Sequence, residues 1–366
     1  MKRTVCIILC AMIALSILGC SAAPEAEDTI TIIDHADYEV TVPVNIERIA
    51  VCGIYPLPSV LTVFFNSAEK IVAMPAVSMA AAKSGLLSEL YPEILNAETE
   101  CVSGDTVNTE ELLLLDPDVV FYSSSDTAVG EALRSAGFAA VGISANKWGY
   151  NCIETLNNWI ALLSQMFPAN DKAELVKTRS NEIYELVQSR VANIDESERA
   201  NIFVLFQYSE TTMLTSGKNF FGQWWCDAIG ANNVGVELEN DNSVAVNLEQ
   251  VYAWNPDVIL VTNFTKAQPA DIINSAIGTD DWSGIAAVEN GRVYKMPLGM
   301  YRSYTPGADT PITLLWLAKT VYPELFGDID VAAEAKAYYL ELFGIELTDE
   351  QVMSIFAPVS DAANGF

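Results

Sequence analysis

Asn108-Thr-Glu110-Glu-Leu112-Leu-Leu-Leu-Asp116-Pro117-Asp118-Val119-Val-Phe121 is matched 139 positions later by Asn247-Leu-Glu249-Gln-Val251-Tyr-Ala-Trp-Asn255-Pro256-Asp257-Val258-Ile-Leu260. The register has no gap, and Asn, Glu, Pro, Asp and Val coincide. Solenoid repeats recur every 20–50 residues or so. Two copies this far apart read instead as two lobes of similar build, with one unit in each. A paired architecture leaves a cleft between its halves, and such clefts are preferred ligand sites.

Each copy reads as helix, proline, strand. Asn108 and Asn247 stand as helix caps, and Glu110 and Glu249 fall in the first turn, where the helix dipole favours negative charge. Asp116-Pro117 and Asn255-Pro256 end the helices, because the residue before proline is driven out of the α region. The aliphatic runs from Val119 and Val258 then read as strands buried on both faces, the mark of a parallel sheet covered by helices.

The amino-terminal end reads as a processing signal. Lys2 and Arg3 precede an apolar run over residues 4–18, too short to span a membrane comfortably. It ends in Ile17-Leu18-Gly19-Cys20, which resembles the bacterial lipobox. The expectation is a leader over 1–19, a lipid on Cys20, and a small, acidic tether over 20–28. Loss of Lys2 and Arg3 leaves 17 basic against 48 acidic residues, a net charge of −31. That argues against nucleic acid and anionic membrane surfaces as partners, and suits docking onto basic pockets. Cys52, Cys101, Cys152 and Cys226 have no metal-site spacing and read as buried free thiols.

The remaining chain fits two lobes. Residues 29–150 read as the first, opening with strands at 30–34 and 39–43 around a turn at 35–37. Further strands are expected at 48–52, 71–74, 119–122 and 139–143. Residues 151–198 read as a helical connection. Its second helix is capped by Asn170 and runs to about residue 193, roughly 36 Å, which is long enough to join the lobes. Residues 199–322 read as the second lobe, with strands at 202–206, 258–261 and 292–296, and with 215–222 as a glycine-punctuated connection. Residues 323–366 read as closing helices.

The lipobox, Arg48-Ile-Ala-Val, the duplicated Asn-x-Glu…Pro-Asp-Val, the long helix and Leu315-Trp-Leu-Ala-Lys-Thr-Val-Tyr-Pro323-Glu together resemble the substrate-binding lipoproteins of ABC importers. The subgroup is the one serving ferric siderophores, haem and cobalamin. The resemblance covers essentially the whole mature chain. It implies an α/β fold of two similar Rossmann-like lobes with parallel-rich sheets, a long rigid joining helix and a ligand cleft between the lobes. It also implies a monomer held at the extracytoplasmic face of the membrane through its lipid. The partners it implies are an ABC permease with its ATPase, and no intrinsic cofactor is implied. Members dock to the permease through one glutamate on each lobe, and Glu110 and Glu249 occupy those places.

Ligand contacts are expected on loops that follow strand carboxyl ends, at 53–56, 75–78, 123–126 and 144–150 in the first lobe and 208–218, 263–266 and 297–304 in the second. Aromatic faces stack on flat chelates, corrins or porphyrins, and cations neutralise anionic ligands. In so acidic a chain, Arg302 between Tyr301 and Tyr304 is the leading candidate, followed by Trp148 with Lys147, then Tyr55. His35 is the only histidine and falls in the first turn, so it is read as structural or solvent-exposed. One histidine cannot furnish a free zinc or manganese site of several His. It also leaves little for acid–base catalysis, and no P-loop, GxGxxG or Ser/His/Asp set is present. The expected ligand is a ferric siderophore, with cobalamin and haem as alternatives. A chelatase-like enzyme or a surface sensor on the same scaffold is the reading from a different class.

Overall fold

The computed structural model describes residues 28–103, 106–168, 171–238 and 243–366. The leader, Cys20, nearly all of the tether and the Asn170 cap fall outside them. Among the described residues, no helix is long and apolar enough to cross a membrane.

The first lobe opens with an antiparallel pair, β1 (Thr29–Ile33) and β2 (Glu39–Pro43). Its sheet consists of β3 (Ile49–Cys52), β4 (Ile71–Ala73), β7 (Val119–Ser123) and β8 (Ala140–Ile143) in the order β4-β3-β7-β8, all parallel. Every residue of β3 and β8 is buried, as the continuous aliphatic runs require. Helices α1 (Leu57–Phe65), α2 (Ala76–Ser84), α4 (Thr109–Leu115) and α5 (Thr127–Ser135) alternate with these strands. The short α3 (Leu86–Leu90) and the hairpin β5 (Val102–Ser103) and β6 (Thr106–Val107) fill the connection before α4.

The second lobe is a mixed sheet of β9 (Asn201–Tyr208), β10 (Met213–Ser216), β11 (Asn232–Asn233), β12 (Ser243–Ala245), β13 (Val258–Val261) and β14 (Val293–Lys295). The order is β12-β10-β9-β13-β14, with β11 beside β9. Strands β9, β13 and β14 are parallel, and β10 and β12 are antiparallel additions. Residues 215–222 are therefore not simply a connection. The buried Thr215 and Ser216 end β10, and the Thr215 hydroxyl donates to the Val204 carbonyl at 2.8 Å. Helix α8 (Phe221–Ala228) follows.

The duplicated segment has the same structure twice. Asn108 accepts from the Glu110 and Glu111 amides at the start of α4, and Asn247 accepts from the Gln250 amide at the start of α9 (Leu248–Trp254). Leu112 and Val251 are the buried residues of these helices. Asp116 (φ 46) and Asn255 (φ 43) end them in the left-handed region, each just before its proline. The next aspartate pins the neighbouring strand. Asp118 Oδ2 accepts from the Glu47 and Arg48 amides at 2.6 and 2.7 Å, where β3 begins. Asp257 Oδ2 accepts from the Asn201 amide at 2.8 Å, where β9 begins.

Two crossings join the lobes. After α6 (Cys152–Met166), helix α7 (Asp171–Val191) has 21 residues, a length of about 32 Å. Its Ala173 and Val176 belong to the first lobe's core, and its Val187 and Val191 to the second's. Beyond the short α10 (Pro269–Ile273) and α11 (Ala286–Glu289) of the second lobe, helix α12 (Thr310–Val321) packs along it. The chain then returns. Helices α13 (Val331–Phe343) and α14 (Asp349–Phe356) place Tyr338, Leu342, Val352 and Ile355 in the first lobe's core. The four cysteines beyond Cys20 are free and buried.

Candidate functional site

The carboxyl ends of β3 and β7 frame a cavity of about 400 Å³. Gly53 (φ +88) turns the chain out of β3 in a conformation other residues rarely adopt, and Tyr55 follows. Across the cavity the sequence Ser123-Ser-Ser-Asp-Thr127 leads from β7 into α5. Asp126 accepts from the Val129 amide at 3.0 Å through one carboxylate oxygen, which starts the helix, and it lines the cavity itself. Thr127 and Ala128 at the helix end line it as well, with Ser123 and Ser125, whose hydroxyls are 2.9 Å apart. Cys52 also lines the cavity, but burial pushes its thiol up to about 12, so it presents no thiolate. Among the described residues, no cluster of His, Cys, Asp and Glu is built to hold a bare metal ion.

The residues singled out from sequence do not gather in one place. Tyr55 is half-buried at this cavity, and its ring meets Phe366 edge-on at 6.1 Å. Arg302, Tyr301 and Tyr304 were expected on an open loop, and all three are buried. The reason is the path of residues 297–304, which leave the edge strand β14 and cross between the lobes. The Arg302 guanidinium donates to the carbonyls of Val77 and Ala362 and to the Tyr301 hydroxyl, at 2.7–3.0 Å. Tyr304 belongs to the second lobe's aromatic core with Phe206, Phe220 and Phe264. Its hydroxyl accepts from the Gly222 amide and donates to Ser216 Oγ, both at 3.0 Å, and burial raises its pKa.

Lys147 and Trp148 turn to the β1–β2 hairpin. Lys147 Nζ donates to Asp37 Oδ1 and to the His35 carbonyl, both at 3.1 Å, and Trp148 meets the His35 ring edge-on at 4.9 Å. His35 Nδ1 accepts from the Ser144 amide at 3.2 Å. Burial, reinforced by the Lys147 charge, lowers the His35 pKa to about 4, so the imidazole is neutral at pH 7 and its Nδ1 remains an acceptor.

The expected cleft loop at 263–266, together with the unexpected Phe366, completes the cleft. Phe264 follows the carboxyl end of β13 and meets Phe366 at 4.7 Å. The loop bearing Phe264 is held from behind by Lys295, whose ammonium donates to the carbonyls of Thr265 and Ala267 at 2.7 Å. Burial lowers the Lys295 pKa to about 7. The strand-end loops expected at 123–126 and 263–266 supply the two walls, and nothing in the sequence marked Phe366.

Glu110 and Glu249 are exposed at the starts of α4 and α9. Both helices begin on the cleft side. The β5–β6 hairpin leading into α4 lines the cavity with Val102 and Val107. Val246, just before α9, donates its amide to Met213, which pairs with the carboxyl end of β9 at Tyr208. Leu113 and Tyr252, equivalent in the repeat, are exposed beside the two glutamates.

Three relatives match nearly the full length. The molybdate-binding protein MolA of Haemophilus influenzae is 24% identical, with 91% of this chain and 95% of MolA covered. The ABC transporter substrate-binding lipoprotein YvrC of Bacillus subtilis is 22% identical, with 86% and 95% covered. The crystal structure of a periplasmic solute binding protein from Veillonella parvula superposes with a TM-score of 0.80 at 25% identity, covering 90% of this chain and 97% of that one. The molybdate-bound structure of MolA has a TM-score of 0.74. These likenesses agree with the two-lobed α/β architecture expected from the repeat. The periplasmic binding protein family profile matches residues 68–298, and the chain belongs to that family as a substrate-binding protein of an ABC transporter.

Proposed function

We propose that the chain is held at the outer face of the cell membrane by a lipid on Cys20 and delivers a small anionic metal complex to its permease. A metal oxyanion of the molybdate class is the reading the cleft supports best. The observation that carries it is the wall of Ser123, Ser125 and the start of α5 around a cavity of about 400 Å³. Neutral donors on a helix end bind compact oxyanions without a counter-charge. MolA, matched along nearly its whole length, is named for that ligand. A ferric siderophore, first from sequence alone, and cobalamin or haem form the second reading. The edge contacts of Phe366 with Tyr55 and Phe264 favour it, because a flat ligand would replace that ring.

Binding rather than catalysis is the role proposed for these groups, and relatives named as binding proteins support it. The monomer docks through Glu110 and Glu249, and the exposed Leu113 and Tyr252 add apolar contact at each point. Calorimetry on the mature chain with molybdate, tungstate, sulfate, a ferric hydroxamate, a ferric catecholate, haem and cobalamin tests the ligand. Saturable molybdate or tungstate binding, weakened about tenfold or more by Ser123→Ala with Ser125→Ala, is expected. Saturation by a siderophore, haem or cobalamin alone would replace the oxyanion with the second reading.

A further inference from the structure

The middle of the cleft is covered by the chain itself. Ser360–Ala363 form a 3-10 turn against α2, with Ala362 and Ala363 buried. The chain then passes Gly365 (φ +96), where an added Cβ would stand 2.6 Å from Val77 Cγ1. It reaches Phe366, whose ring touches Tyr55 of the first lobe and Phe264 of the second. Those two residues follow the carboxyl ends of β3 and β13, so the segment spans both walls.

Arg302 lies beneath it, with no exposure to solvent. Its guanidinium donates to the Ala362 carbonyl at 2.7 Å and the Asn364 carbonyl at 3.4 Å, besides Val77 and Tyr301. The Phe366 ring is 4.8 Å from its Cζ. Among the described residues, no carboxylate is within ion-pair distance of it. A buried cation held only by dipoles keeps much of its desolvation cost, which an anion would offset. Two of its acceptors are carbonyl oxygens of the covering segment, neutral groups standing where ligand oxygens would bind.

The segment is lightly held. Asp361, Asn364, Gly365 and Phe366 are exposed, Phe366 by 48%, and the buried anchors are two alanine methyls. It also walls a second cavity of about 440 Å³ along α2, which contains Lys83.

We propose that residues 360–366 are a displaceable strap over the part of the cleft between the Ser123 cavity and Arg302, and that an anionic ligand in the cleft reaches Arg302 by taking it from the Ala362 and Asn364 carbonyls. This rests on the reading of the cleft as the ligand site. Displacement frees Tyr55, Phe264 and Arg302 together and joins the two cavities. A strap that is open about one-tenth of the time weakens apparent affinity about tenfold.

The test combines hydrogen exchange on the ligand-free mature chain with molybdate and ferric-hydroxamate titrations of three forms. These are the parent, a variant lacking residues 360–366, and Gly365→Val, whose side chain collides with Val77. The amides of residues 362–366 are expected to exchange at least about 100-fold faster than those within α13. Both variants are expected to bind about tenfold tighter than the parent. If the deletion variant fails to fold, Gly365→Val carries the comparison. Strap amides that exchange only with global unfolding would overturn the proposal, as would unchanged or weaker binding in the variants. Fast strap exchange, with no probe bound by any form, would leave the strap standing and sink the ligand reading instead.

Discussion

Asp309 clamps the interlobe crossing, and its replacement by asparagine has a calculable signature. Its Oδ2 accepts from the Met300 amide at 2.6 Å, and its Oδ1 from the Tyr339 hydroxyl on α13. Burial raises the carboxyl pKa from 3.8 to about 6, even though both hydrogen bonds pull it down. The folded state therefore holds the proton more tightly than the unfolded state. The resulting stability is fully present below pH 3.8 and is lost as pH rises through 6. At about 1.4 kcal/mol per pH unit, the full loss is on the order of 3 kcal/mol, of which rather less than half falls between pH 5 and pH 7. Asp309→Asn keeps the shape, accepts from Met300 and turns its amide toward the Tyr339 oxygen, but does not titrate. Urea unfolding of parent and variant, followed by tryptophan fluorescence at pH 5, 6 and 7, isolates this group, because the other carboxylates titrate alike in both. The variant is expected to gain on the parent by about 1 kcal/mol from pH 5 to pH 7. A difference that is flat with pH, or that moves the other way, would refute the assignment of the raised pKa to this clamp.

Asp118→Ala and Asp257→Ala remove equivalent strand pins, so each is expected to cost about 1.5–3 kcal/mol in denaturant unfolding, with the two losses similar. A loss at only one position would deny the repeat its structural meaning. Gly130→Ala places a Cβ 2.5 Å from the Tyr122 ring, so about 1–3 kcal/mol of destabilisation should replace the usual helix gain. Its thermal midpoint is the measure, and a rise would contradict the packing. Glu110→Ala with Glu249→Ala is expected to abolish permease-stimulated uptake while leaving ligand affinity within about twofold. Intact transport in the double variant would refute the docking assignment.

The two-lobed plan was legible because its determinants are local and occur twice. An asparagine cap, a pre-proline stop and an aspartate at the strand edge act within a dozen residues, and their recurrence at constant offset excluded a single sheet. The joining helix was legible for a similar reason, as one long run whose length suffices to cross between two lobes. The site was less legible. Arg302 has the same neighbours in sequence whether it faces water or is sealed beneath residues 362 and 364, and charge alone argued for water. Lys147 and Trp148 follow a strand end as ligand contacts do, but their partners are His35 and Asp37, more than 100 residues away. The hydroxyl wall needed β7 beside β3 before Ser123 and Tyr55 faced one cavity. The antiparallel strands β10 and β12 were missed because Gly217 and Gly222 punctuate the segment that β10 shares with α8.

The joining helix also sets how a permease reads this protein. Its ends are embedded in both cores, and Arg179–Glu341 and Arg190–Asp328 tie its polar face to the returning chain at 2.6 and 2.5 Å. On the docking proposed above, Glu110 and Glu249 would be the points of a locked caliper whose span the joining helix fixes. A transporter gripping those points would then learn of cargo from the rim between them, where the proposed strap lies down or lifts away.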